Sequence, residues 1–100
     1  MILITQFIYL IPGKETTFAQ FEELALPLIA KYQGKLLLRL RPAPDSIIES
    51  NIETPYEIHF VEFPSENELD LFFKDETRKK FLHLKEASVR QSSMFKQEKF

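Results

Sequence analysis

Tyr56-Glu57-Ile58-His59-Phe60-Val61-Glu62-Phe63, followed directly by Pro64-Ser65-Glu66-Asn67-Glu68, is the stretch on which the fold turns. Its first half alternates with period two, which marks a strand. Tyr56, Ile58, Phe60 and Glu62 share one face; Glu57, His59, Val61 and Phe63 share the other. Pro64 ends the strand. Ser65 with Glu68 three residues on has the form of a capping box, so a helix begins at once.

Moving outward toward the C-terminus, Leu69, Phe72 and Phe73 lie on one helical face. The same phase then falls on Glu76, Lys80 and His83, whereas the apolar residues present are Phe81, Leu82 and Leu84. The stripe loses its phase near Asp75 to Thr77, which predicts two short helices with a break there. Val89 to Lys96 reads as a more polar strand near a sheet edge.

Toward the N-terminus, residues 42–54 form a long connection, opened by Pro42-Ala43-Pro44, in which Ser46 to Glu49 is expected to pair briefly. Lys35 to Arg41 is a strand in which Leu36, Leu38 and Leu40 alternate with Leu37, Arg39 and Arg41. Lys14 to Tyr32 is a helix whose inner face is Phe18, Phe21, Leu24, Ala25, Leu28, Ile29 and Tyr32. Pro27 lies on its solvent side, and the expected result is a kink rather than an end. Gln33-Gly34 stops the helix, with Gly34 in the left-handed cap position. Ile2 to Ile11 is apolar on both faces, which places it in the middle of the sheet, and Pro12-Gly13 turns the chain after it.

The order is β-α-β-β-α-β: an α+β chain with the ferredoxin-like arrangement, its helices on one face of an antiparallel sheet. Residues 1–100 are read as a single domain. The other sheet face carries enough apolar surface to need a cover, and a second copy of the chain related by a twofold axis supplies one. Hydrophobic residues make up 44% of the chain and ten are Phe, which excludes a disordered segment. There are no cysteines, so disulfides and thiolate metal sites are excluded. Ile2 to Ile11 is too short to span a bilayer and lacks the flanks of a signal peptide, so a cytoplasmic setting is expected. A net charge of −2, with Lys and Arg scattered among acids, argues against nucleic-acid and membrane partners.

Gln33-Gly34-Lys35-Leu36-Leu37-Leu38-Arg39 after a helix carrying Pro27, with Val61-Glu62-Phe63-Pro64-Ser65 leading into a broken helix, resembles the small dimeric α/β-barrel superfamily. The nearest resemblance is to its stand-alone proteins of unknown function, related to NIPSNAP-like proteins, and it spans nearly the whole chain. It departs in one place: the family often has two glycines before the second strand, and Gln33 stands in place of the first. The resemblance implies two ferredoxin-like sheets packed face to face in a homodimer, without an implied cofactor or agreed activity. The wider superfamily includes cofactor-free monooxygenases and isomerases acting on aromatic or polyketide-like molecules. For such chemistry His59, Tyr9 and Tyr56 are the proton-handling candidates.

Strict alternation turns Leu36, Leu38 and Leu40 to the helices, and Arg39 and Arg41 to the barrel interior. If Glu57 and His59 share that side, the candidate ligand-binding group is Arg39, Arg41, Glu57 and His59. Such a group either binds an anionic ligand and tunes the imidazole or forms a structural ion network. No catalytic or metal set is expected. His59 and His83 are too few for a convincing metal site. No serine has a nucleophile setting, and Glu22-Glu23 reads as surface carboxylates. Arg78 to Lys85 reads as a charged helix face balanced by Asp75, Glu76 and Glu86. An RNA-recognition signature fails at Tyr56 and Glu57, and Pro12-Gly13-Lys14 is too little for a phosphate loop. The expectation is a small homodimeric protein holding a small, partly apolar ligand in its barrel.

Overall fold

The structure, a computed structural model, describes residues 1–98. Four strands, β1 (Ile2–Leu10), β2 (Lys35–Leu40), β3 (Glu57–Phe63) and β4 (Val89–Glu98), form one antiparallel sheet in the order β2-β3-β1-β4. The helices are α1 (Glu15–Ala25), α2 (Leu28–Lys31), α3 (Glu66–Phe73), α4 (Glu76–Lys79) and α5 (Leu82–Ser88). This is the α+β, ferredoxin-like arrangement read from the sequence. The apolar β1 lies between β3 and β4, and the more polar β4 is an edge. The sheet of one chain is open, so the chain alone is not a barrel.

The core lies between one sheet face and the helices. Ile2, Ile4 and Ile8 of β1 and Val61 and Phe63 of β3 meet Phe18, Phe21, Ala25, Ile29, Leu69 and Phe72. Each large side chain so buried contributes about 1.5–3 kcal/mol relative to exposure. Leu24, expected in this face, is 41% exposed, and Glu22 lies inside instead.

Both long helices are broken. Pro27 lacks an N–H and crowds the preceding turn, so the helix ends at Ala25 and restarts at Leu28. The expected kink is a full interruption, bridged by a tight Ile29 N–H to Leu26 carbonyl bond of 3.1 Å. In the second helical segment the break falls at Asp75, as the lost phase requires. Asp75 leaves helical geometry (φ −57°, ψ 127°) and its Oδ1 accepts the Arg78 N–H at 2.8 Å, capping α4. A second break at Lys80-Phe81 makes three pieces rather than two, and lets Phe81 and Leu84 turn into the core. Ser65 caps α3, accepting the Asn67 N–H at 3.2 Å, and donates its hydroxyl to Glu68. The 42–54 connection carries a short 3-10 turn at Pro44–Ser46 and no strand at Ser46 to Glu49.

Two further corrections concern the entry to β2. The left-handed residue after α2 is Gln33 (φ 62°), not Gly34. Gln33 N–H bonds the Ala30 carbonyl and Gly34 N–H the Ile29 carbonyl, both at 3.0 Å, which is the Schellman pattern. Gly34 is needed for space: a Cβ there would come within 2.6 Å of the Phe63 ring and 2.7 Å of Ile29. The second correction is in β2 itself. Leu36 faces Val61, but a register shift follows, so Leu38 pairs with Phe60, Arg39 with His59 and Leu40 with Ile58. The extra residue reverses the side-chain alternation. Leu36 packs into the core, while Leu38 and Leu40 emerge on the open face.

Gly34→Ala is expected to destabilise the fold by about 1–3 kcal/mol through overpacking. Gln33→Gly, which relieves a left-handed side chain, is expected to stabilise it by about 0.5–1 kcal/mol. Urea unfolding midpoints of the two variants check both signs.

Candidate functional site

β3 carries Glu57 and His59 on the same face as Val61 and Phe63, and all four are buried beneath the helices. The bulge in β2 brings Arg39 to the same side, opposite His59. From above, α1 lowers Glu22 onto the pair. Glu22 belongs to the inner stripe because it lies four residues after Phe18, three before Ala25 and seven before Ile29.

The geometry is dense. His59 Nε2 lies 2.9 Å from Glu22 Oε2 and also contacts Glu57 Oε2. Arg39 donates from Nη2 to Glu22 Oε1 at 2.8 Å and from Nε to Glu57 Oε2 at 3.1 Å. Arg41 donates from Nε to Glu57 Oε1 at 3.0 Å and lies over the Tyr56 ring, 5.0 Å from its centroid. The four residues anticipated from the sequence are thus together, with Glu22 as a fifth. They sit between sheet and helices rather than in a barrel interior, because the bulge turns Arg39 the other way from strict alternation.

The charges are set by burial and by each other. Burial pushes the Glu57 carboxyl up, but hydrogen bonds with His59, Glu22, Arg41 and Arg39 outweigh it and hold the group well below the carboxylate range. Burial lifts Glu22, and its neighbour Glu57 adds to that, beyond what His59 and Arg39 recover. For His59, burial disfavours the imidazolium, yet Glu22 and Glu57 more than compensate and its pKa is raised. Two neighbouring carboxyl groups are thereby driven apart, one keeping its proton more readily than the other.

Glu22, Glu57 and His59 also place their donor atoms within 4.8 Å of one another, close enough for a metal ion. The four carboxyl oxygens of Glu22 and Glu57 are already taken by Arg39, Arg41 and His59, so the cluster stands as a salt-bridged network. Tyr9 does not join it: its hydroxyl donates to the Glu53 carbonyl at 3.2 Å. Tyr56 packs edge-on against Phe18, ring centroids 6.1 Å apart. His83 is exposed.

Beside the cluster is a cavity of about 80 Å³. Ile4, Ile8, Phe18 and Phe21 form much of its wall; Glu22 and His59 also line it, as do Arg78 and Lys85. Among the described residues no helix is long and apolar enough to cross a membrane.

No protein-family model matches the chain, and no curated protein matches it by sequence. Solved structures do share its fold. A Rhodopseudomonas palustris protein of unknown function aligns with a TM-score of 0.81 at 15% identity, over 99% of this chain and 82% of that one. An uncharacterised NIPSNAP domain protein from Burkholderia xenovorans aligns at 0.70 with 10% identity, over 100% and 95%. A dimeric protein of unknown function and ferredoxin-like fold from Bacteroides fragilis aligns at 0.71 with 12% identity, over 97% and 94%. The fold anticipated from the sequence is therefore the one these proteins have.

The titration of the cluster gives a signed expectation. Glu57 is depressed below 4.5, so its contribution to stability is present above that pH and lost as pH falls. His59 is raised above 6.5, so its contribution is present below that pH and lost as pH rises through the folded value. Glu22, raised above 4.5, adds to the loss on the basic side. Unfolding free energy measured against pH should peak between the two limbs. His59→Gln should lower the peak by roughly 3 kcal/mol and flatten the decline above pH 6.5.

Proposed function

We propose that this chain is a small-molecule-binding protein that works as a homodimer, and that its ligand site is the cavity between sheet and helices. The cavity carries the reading. Its wall is mostly apolar with a small number of polar and charged groups, the form that ligand sites take. Arg39, Arg41, Glu57 and His59 then act with Glu22 as the polar end of the site. Glu22 and His59 reach the cavity, while Arg39, Arg41 and Glu57 hold them in place and in charge balance.

The volume favours a narrow ligand. An engineered cavity of about 150 Å³ takes up benzene, and this one is about half that. A short alkyl or acyl segment fits better than an aromatic or polyketide ring system. Of the proton-handling candidates for an aromatic monooxygenase or isomerase, Tyr9 is engaged with the Glu53 carbonyl and Tyr56 packs against Phe18, which leaves His59 at the cavity.

The open sheet face supports the dimer. Leu38 is 48% and Phe95 55% exposed there, next to Leu40, and the Phe7 and Phe95 rings meet edge to face at 5.5 Å. So large an apolar face invites a second sheet, and the Bacteroides fragilis fold-mate is dimeric.

Two measurements test this reading. With 1-hexanol as a neutral apolar probe, the melting temperature should rise by a few degrees at about ten times the dissociation constant. Ala25→Leu, which fills the cavity, should abolish the rise. Light scattering should give a dimer for the wild type and a monomer for Leu38→Glu combined with Phe60→Glu. No probe response, or a wild-type monomer, would count against the corresponding half of the proposal.

A further inference from the structure

The chain has four arginines, and three of them are only partly covered and ion-paired: Arg39 with Glu22 and Glu57, Arg41 with Glu57, Arg90 with Glu53. The most buried one is the exception. Arg78 is 7% exposed, and among the described residues it forms no ion pair. Its Nε is buried without any hydrogen-bond partner. The guanidinium is instead held over the faces of Phe72 and Phe73, 5.2 and 5.1 Å from their centroids, and it lines the cavity.

Among the described residues Asp75 is the carboxylate that acts on it electrostatically, and Asp75 is engaged elsewhere. Its Oδ2 accepts Lys31 Nζ at 2.7 Å and the Tyr32 hydroxyl, and its Oδ1 accepts the backbone N–H of Arg78. Asp75 therefore shapes the start of α4 and leaves the guanidinium uncompensated. A second cation, Lys85 of α5, lines the same cavity and also lacks an ion pair among the described residues. Burial holds Arg78 and Lys85 both below their ordinary values, and Arg78 adds to the effect on Lys85.

A buried charge without a partner costs stability, and a guanidinium fork with free donors matches a planar carboxylate. Arg78 and Lys85 line the cavity together with apolar side chains, while Glu22, the acid of the same cavity, is paired with Arg39 and His59. Building on the cavity reading above, we propose that Arg78, assisted by Lys85, is the docking point for the carboxylate of a short-chain acyl ligand. Its alkyl part lies against Ile4, Ile8 and Phe18.

Calorimetric titration of the full chain with hexanoate and with 1-hexanol tests this. The wild type should bind hexanoate at least about tenfold more tightly than the alcohol. In Arg78→Met that preference should vanish while 1-hexanol binding persists, and the unliganded variant should unfold no earlier than the wild type. Lys85→Met, a milder change outside the core, should reduce the preference in the same direction. Equal binding of acid and alcohol by the wild type would overturn the carboxylate site and leave the cavity reading standing. A hexanoate preference unchanged in both variants would do the same. Binding of neither probe would overturn both.

Discussion

Burying two glutamates and a histidine under a helix is tolerable only if every charge is answered, and this requirement organises the molecule. Glu22, Glu57 and His59 are each almost fully enclosed. Arg39 and Arg41 answer them from the strand edge, where their outer parts stay in water. That arrangement needs Arg39 on the helix side, opposite His59, and the register shift after Leu36 puts it there. The same shift sends Leu38 and Leu40 to the opposite face. One extra residue in β2 therefore completes the polar network and, at the same time, makes the open face apolar enough to meet a second sheet.

The helix breaks serve the same interior. Pro27 and Asp75 end their helices for different reasons, one by lacking a donor and one by supplying an acceptor. Asp75 also ties the two helical halves together, because it binds Lys31 and Tyr32 from the α2 side. The result is a roof made of short pieces over a cavity. The cavity wall includes members of a compensated ion network, and also two cations, Arg78 and Lys85, that form no ion pair among the described residues. That asymmetry suits a ligand with a charged end and a thin apolar body.

Much of this was legible before any coordinates. The strand and helix order follows from periods of two and 3.6, and the phase loss after Phe73 located the Asp75 break. Arg39, Arg41, Glu57 and His59 stood out as polar residues on otherwise apolar strands, and they do meet. Strict alternation puts Arg39 and Arg41 on the wrong side because it assumes an unbroken ladder, and Lys35-Leu36-Leu37-Leu38 carries no glycine or other local mark of a bulge. Glu22 beside Glu23 reads as a solvated helix surface, yet it is enclosed, and its spacing from Phe18 and Ala25 places it in the inner stripe. The left-handed residue is Gln33 although glycine is the usual occupant of that position, and the crowding that demands Gly34 comes from Phe63, distant in sequence.

Local patterning by itself determined the elements, their order, the central place of β1 and the edge place of β4, since these depend on residues near one another in the chain. Which face Arg39 presents, whether Glu22 is solvated or enclosed, and that Arg78 is buried without an ion pair among the described residues were decided only by tertiary structure. The physical reason is the same in each case. A charge's partner, or its absence, is set by packing between segments far apart in sequence, and a one-residue change in strand register is enough to exchange the two faces on which that packing is built.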